Sequence, residues 1–239
     1  MLRKKMLLVA LLVGLIAFAA PMSAMALFEI DVNGFIVADG SAFDGNPAPN
    51  RILATGGVLG VPLFPGISGS VDAGLTNAPG GPAVSLLDLT WNVDAVGNTG
   101  NTLTILASTT GYTFPSAGTP ATLTSLIGGT ATTAGSVTAQ QWVAPNNVIF
   151  QIGAGTFTPA AQGPFGLGAF SDTRTVNFTS TTPYSITERL ILTVGAEGVT
   201  TGDFASQVSA AVPEPGILIL LGMGLGAVGV LSRRIKLHG

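Results

Sequence analysis

Five Asp and Asn side chains fall within one short stretch, "EIDVNGFIVADGSAFDGN": Asp31, Asn33, Asp39, Asp44 and Asn46. Calcium takes about six to eight such oxygens, and ligand type alone makes Asp31, Asn33, Asp39 and Asp44 the residues through which this chain would hold it. The spacing is not that of an EF-hand, because no ligand stands at the fifth position counted from Asp31 and no glutamate closes the loop. Asp-Gly and Asn-Gly pairs are also turn formers in their own right. A second candidate is Trp142 in "QQWVAPNN", flanked by Gln140, Gln141, Asn146 and Asn147. One ring and several amides suit a sugar; the competing reading is a strand-end tryptophan whose indole N–H finds a backbone partner.

Hydrolytic chemistry is narrowly bounded. Residues 27–211 contain no cysteine, no lysine and no histidine, since His238 lies in the basic tip of the chain. Thiolate nucleophiles, serine triads and zinc sites built on imidazole are thereby excluded. A hydrolase here would have to work with carboxylates alone, as glycosidases do with a flanking pair. Glu29 reads as a solvated strand position and Glu197 as part of the turn "GAEGV". Glu188 is the exception, because it shares a strand face with Tyr184, Ile186, Leu190 and Leu192. Such a residue needs a partner, and Arg174 or Arg51 is the simplest expectation. No residue is assigned a catalytic role, and no cofactor is expected beyond calcium. Eleven acidic side chains against Arg51, Arg174 and Arg189 leave this region at a net charge of −8. Three dispersed arginines cannot neutralise a phosphate backbone, so nucleic acid is not an expected partner.

The elements that must position these groups read as strands. In "LLDLTWNVDAV", Leu87, Leu89, Trp91 and Val93 alternate with Asp88, Thr90, Asn92 and Asp94, the period of a strand with one buried face. That places Trp91 in the core. "NTLTILAST", "NNVIFQIG", "TRTVNFTS" and "YSITERLILTV" read in the same way. Turn clusters such as "FDGNPAPN", "NAPGGP" and "YTFPSAGTP" separate them. Prolines between 45 and 82 interrupt nearly every possible strand there. The expectation is all-β: one antiparallel β-sandwich of jelly-roll or Greek-key type over residues 27–211, with a barrel as the alternative.

Both ends carry targeting signals. Arg3, Lys4 and Lys5 precede an apolar run and then Ala24-Met25-Ala26, the layout of a signal peptide spanning residues 1–26. Cleavage by signal peptidase would leave Leu27 as the first residue. At the other end, Gly216–Leu231 is an uncharged run of 16 residues. As a helix it would measure about 24 Å, a marginal span for a hydrocarbon core of about 30 Å. Arg233, Arg234 and Lys236 would flank it on the cytoplasmic side. Gly224-Leu225-Gly226-Ala227-Val228-Gly229 matches a dinucleotide fingerprint in letters, yet it has no βαβ unit around it and no acidic residue beyond it.

Pro213 and Pro215 hold Glu214 in extended backbone just before that run. An extended tripeptide outside a bilayer is the form a protease binds. The order Val212-Pro213-Glu214-Pro215, short Gly-rich apolar helix, Arg233-Arg234 resembles the PEP-CTERM sorting signal of exported proteins in Gram-negative bacteria. The resemblance covers residues 212–239 only. It implies processing by an exosortase, a membrane-embedded cysteine protease, in bacteria that make extracellular polysaccharide. It further implies a precursor held transiently in the inner membrane and a product on the cell surface or in the extracellular matrix. The functional expectation is a non-enzymatic exported protein; the alternatives are a carbohydrate- or calcium-binding module and a carboxylate glycosidase.

Overall fold

Alternation of apolar and polar residues at period two gives each strand one face to bury, and here two six-stranded sheets bury those faces against each other. The computed structural model describes residues 26–55, 67–76, 85–95, 101–132, 135–194 and 198–210. They form the strands β1 (Phe28–Val32), β2 (Phe35–Ala38), β3 (Arg51–Thr55), β4 (Ile67–Thr76), β5 (Ser85–Ala95) and β6 (Asn101–Tyr112). After these come β7 (Pro120–Ala131), β8 (Ser136–Ala144), β9 (Gln162–Phe165), β10 (Gly168–Thr179), β11 (Tyr184–Val194) and β12 (Gly198–Ala210). One sheet, A, runs β2-β1-β6-β11-β8-β9; the other, B, runs β10-β7-β12-β5-β4-β3. All pairings are antiparallel. From β5 onward the chain passes back and forth between the sheets, so that β5-β12-β7-β10 faces β6-β11-β8-β9. That is jelly-roll wrapping, extended by β1 and β2 on sheet A and by β3 and β4 on sheet B.

The core lies between the sheets. Leu87, Leu89, Trp91 and Val93 of β5 are buried, as the alternation requires, together with Ile105, Leu123, Leu190 and Phe204. Two glycines make room for two rings. Gly202 stands opposite Trp91 in the register, and a Cβ added there would come within 2.3 Å of the indole Cζ2. Its other neighbour, Gly129, would place a Cβ 2.6 Å from Phe170 Cζ.

Two expectations fail. "NNVIFQIG" is a loop and not a strand, because Asn147 (φ 57°) and Phe150 (φ 54°) sit in the left-handed region and turn the chain. The strand in this part of the chain precedes it, as β8. The loop folds back over sheet A, with the Phe150 N–H donating to Ser108 Oγ at 2.9 Å and a bridge joining Phe157 to Val143. Between 45 and 82 the prolines leave room for β3 and for a ten-residue β4.

The Leu27 N–H donates to Thr110 Oγ1 at 2.9 Å, its carbonyl accepts from the Thr110 N–H at 3.0 Å, and Ala26 before it is exposed. The residues before Ala26 that the sequence reads as a signal peptide, Ala24 among them, lie outside the described residues. So do Pro213, Glu214 and Pro215, the apolar run 216–231, and Arg233, Arg234 and Lys236. Among the described residues no helix is long and apolar enough to cross a membrane.

Candidate functional site

The oxygen-rich segment of β1, β2 and the loop after them spends its side chains on the backbone. Asp31 Oδ1 accepts from the Gly34 N–H at 2.5 Å and Asn33 Oδ1 from the Thr104 N–H at 2.6 Å. Asp39 Oδ2 accepts from the Asn50 N–H at 2.8 Å. Asp44 takes three such donors, Gly40 at 3.0 Å, Asn46 at 2.9 Å and Leu53 at 3.0 Å. Asn46 Oδ1 accepts from Ala48 at 2.9 Å. Some of these bonds fix turns and others tie the segment to neighbouring backbone at Thr104, Asn50 and Leu53; among the described residues no three acidic or histidine side chains gather as a metal site would need.

Trp142 is 4% exposed. It stands on the outer face of sheet A, where the Arg189 guanidinium covers its ring at 4.8 Å from the centroid. The same guanidinium donates to Gln140 Oε1 at 3.2 Å. With its ring covered, Trp142 offers no open platform for a sugar, and a cation–π contact accounts for its place.

The register of sheet B assembles polar groups that lie far apart in sequence. On its outer face, Thr90 of β5 pairs with Asp203 of β12 and donates its hydroxyl to Asp203 Oδ1 at 3.1 Å. Asp72 of β4 stands opposite Thr90 on the other side, and Arg51 of β3 donates Nε to both Asp72 oxygens, at 3.0 and 3.1 Å. Asp88, one residue pair along β5, is half-buried, and its Oδ1 has no hydrogen-bond partner. Burial, then a hydrogen bond and the charge of Asp203, and then the charge of Asp72 push its carboxyl up to about 7. Beside these groups lies a cavity of about 360 Å³ lined by Asn50, Arg51, Asp72, Leu75, Asp88 and Thr90, within the usual size range of small-molecule sites. The arrangement presents a guanidinium, a hydroxyl and neighbouring carboxyl groups, one of which, Asp88, exchanges its proton around neutral pH. Sequence reading missed it because Asp88 looks like a solvated strand position and the strand that carries Asp203 is not apparent in the sequence.

Inside the sandwich, Glu188 does not pair with Arg174 or Arg51. Arg51 is held by Asp72, and Arg174 donates Nε to Asp172 at 2.8 Å. Glu188 is instead fully buried, and Ser206 of the facing sheet donates to its Oε1 at 2.6 Å. Burial, opposed by the Ser206 hydrogen bond and reinforced by Asp88 and Asp203, holds the carboxyl well above the usual range and therefore neutral. A neutral acid needs no arginine.

Residues 211–235 match the PEP-CTERM protein-sorting motif, the signal that the segment from Val212 to Arg234 resembles. No curated protein matches the chain. Among solved structures it is similar to the enzymatically active domain of bacteriophage CBA120 tailspike protein 4 (TM-score 0.29, 11% identity), over 70% of this chain. The similarity spans 21% of the tailspike chain. It is also similar to a CBM22-1 xylan-binding domain from Paenibacillus barcinonensis (TM-score 0.26, 10% identity, 62% of this chain and 88% of that one). A third match is the mannan-recognising module TmCBM27 (TM-score 0.28, 9% identity, 67% of this chain and 99% of that one).

Proposed function

We propose that this chain is an exported, non-enzymatic protein of the cell surface or extracellular matrix, made as a membrane-anchored precursor and processed by an exosortase-type system. The observation that carries this reading is the sorting motif at residues 211–235, which begins at the residue after the last strand ends at Ala210. The sandwich closes on one side of that boundary and the processing signal opens on the other. Signal peptidase and an exosortase are the processing partners, the inner membrane is a transient one, and no nucleic acid is involved. The lack of cysteine, lysine and histidine in residues 27–211 supports a structural and not a catalytic role.

One observation favours a second reading, a module that binds a neutral sugar of extracellular polysaccharide. The cavity beside Arg51, Asp72, Asp88 and Thr90 sets donors and acceptors side by side, as vicinal hydroxyls require. On this reading the sugar enters there and not at Trp142.

Replacing Glu214 with Ala tests the leading reading. Glu214 follows the last described strand and lies between two prolines, in a stretch whose sequence shows no further strand pattern. Cell fractionation with intact-mass measurement should find the variant folded, full at its C-terminus and retained in the inner membrane, while the wild type leaves it without its tail. A variant that reaches the outside with the wild-type mass would show that Glu214 is not read and that the tail is a plain anchor.

A further inference from the structure

Two serine–glutamine pairs cross the core between the sheets, and they differ in what surrounds them. Ser206 of β12 donates to Glu188 Oε1 of β11 at 2.6 Å and is in hydrogen-bond contact with Gln141 Oε1 of β8. All three side chains are completely buried. Two of their atoms have no partner, Gln141 Nε2 and Glu188 Oε2. Glu188 and Gln141 stand directly opposite each other in sheet A, which sets their Cβ atoms about 5 Å apart. In the second pair, Ser125 donates to Gln162 Oε1, but Gln162 Nε2 is held by the Asp172 carbonyl at 3.0 Å. No carboxyl group is among the hydrogen-bond partners of Ser125.

We propose that Ser206 and Gln141 join in an intramolecular ester that ties sheet B to sheet A, with Glu188 transferring the protons and ammonia leaving. Ser206 Oγ attacks Gln141 Cδ, the Oγ–Cδ bond forms and the Cδ–Nε2 bond breaks. The serine proton passes to Glu188 Oε1, its hydrogen-bond acceptor, and the proton on Glu188 Oε2 passes to Nε2 once these two side chains, which are not hydrogen-bonded to each other in the resting structure, close on one another. Nitrogen departs as ammonia, and Glu188 ends as it began, a neutral acid. Nothing is oxidised or reduced and no co-reactant is consumed.

Geometry and environment both support the step. An Oγ hydrogen-bonded to Oε1 lies within about 4 Å of the amide carbon, since the C=O bond adds only about 1.2 Å, close to the near-attack range of about 3–3.5 Å. The groups are fixed in a water-excluded core, where proton-transferring partners need little reorganisation. Burial keeps Glu188 protonated, so the proton that the leaving nitrogen needs is already present. Departure of Nε2 also removes a buried donor that has no acceptor. The exported region has neither cysteine nor lysine, which closes the disulfide and lysine–amide routes to a cross-link. A hydroxyl–amide link is the cross-link its residue types permit.

The test is a mass measurement on the full-length chain. After denaturation, trypsin places Gln141 in the fragment 52–174 and Ser206 in the fragment beginning at Leu190. The wild type should yield one species with the mass of both fragments less one ammonia, and hydroxylamine should split it and mark position 141. Ser206→Ala and Glu188→Gln should release two fragments of full sequence mass, whereas Ser125→Ala should leave the link in place. The wild-type result decides the question even where a variant fails to fold. Two separate wild-type fragments at full sequence mass would overturn the ester, and so would a linked species that persists in Ser206→Ala.

Discussion

Substituting Asp88 with Asn should flatten the dependence of stability on pH. In the folded protein the Asp88 carboxyl is pushed up to about 7, first by burial and then by Asp203 and Asp72, whereas in the unfolded chain it titrates at about 3.9. The folded state therefore keeps a proton that the unfolded chain releases. The stabilisation is fully present below about pH 4, declines as the pH rises towards 7 and is gone above it. A difference of about three pH units corresponds to about 4 kcal/mol at 1.36 kcal/mol per unit. Because the carboxyl is only half-buried, solvent screening reduces the expected effect to about 1–2 kcal/mol. Arg51 acts against part of it, since its charge neutralises Asp72.

Trp91 and Trp142 are both buried, so tryptophan fluorescence reports unfolding in urea directly. Both proteins should lose stability between pH 4 and pH 8, the Asp88→Asn variant about 1–2 kcal/mol less than the wild type, so that it is the more stable of the two at pH 8. Glu188 is shifted in the same direction, and the difference between wild type and variant removes its contribution. An Asp88→Asn variant that declines as steeply as the wild type, or a wild type that gains stability with pH, would refute the reasoning.

Gly202→Ala should lower stability by about 1–3 kcal/mol through overpacking, because its Cβ would meet Trp91 and the Gly128 carbonyl; an unchanged melting temperature would show that the indole has room to move. Asp44→Ala leaves three backbone N–H groups without their acceptor and should cost about 1–3 kcal/mol. With the same oxygens engaged by backbone N–H groups, the wild-type melting temperature should be equal in calcium and in chelator. A rise in calcium would instead show that the ion is bound, with the Asp31 to Asn46 segment as its expected site, since a ligand bound only by the native state must stabilise it.

Strands with strict alternation were legible in the sequence, and β5 and β11 appear within a residue of their expected limits. Burial of one face leaves no other register. Two of the strands that escaped notice carry glycine inside them: β7 contains Gly128-Gly129 and β12 contains Gly202. Glycine in a strand reads as a turn, and only the facing rings of Phe170 and Trp91 explain why it is there. "NNVIFQIG" failed in the opposite way, with strand-forming residues placed after a proline and bent by left-handed Asn147 and Phe150. The polar sites were hidden for another reason. Thr90 and Asp203 are 113 residues apart, and Glu188 meets Ser206 only because β11 and β12 fall in opposite sheets. Sequence spacing carries no trace of either meeting, although the position of Glu188 on an apolar face did announce that something unusual had to satisfy it.

The order of the strands ties the fold to its sorting signal. β12 is the last strand in sequence, yet it lies between β7 and β5 in sheet B and pairs with both along nearly its whole length. Until residues 198–210 are available, sheet B has no centre: β5 and β7 present open edges, and Phe204, Ser206 and Val208 are missing from the core. The sandwich can therefore close only when the chain is complete to Ala210, one residue before the matched motif begins. Cleavage beyond that point removes none of the described strand pairings, whereas cleavage within residues 198–210 would shorten the central strand of sheet B. The motif thus begins directly after the last described strand, and a processing enzyme that reads Pro213-Glu214-Pro215 would leave the described sandwich whole.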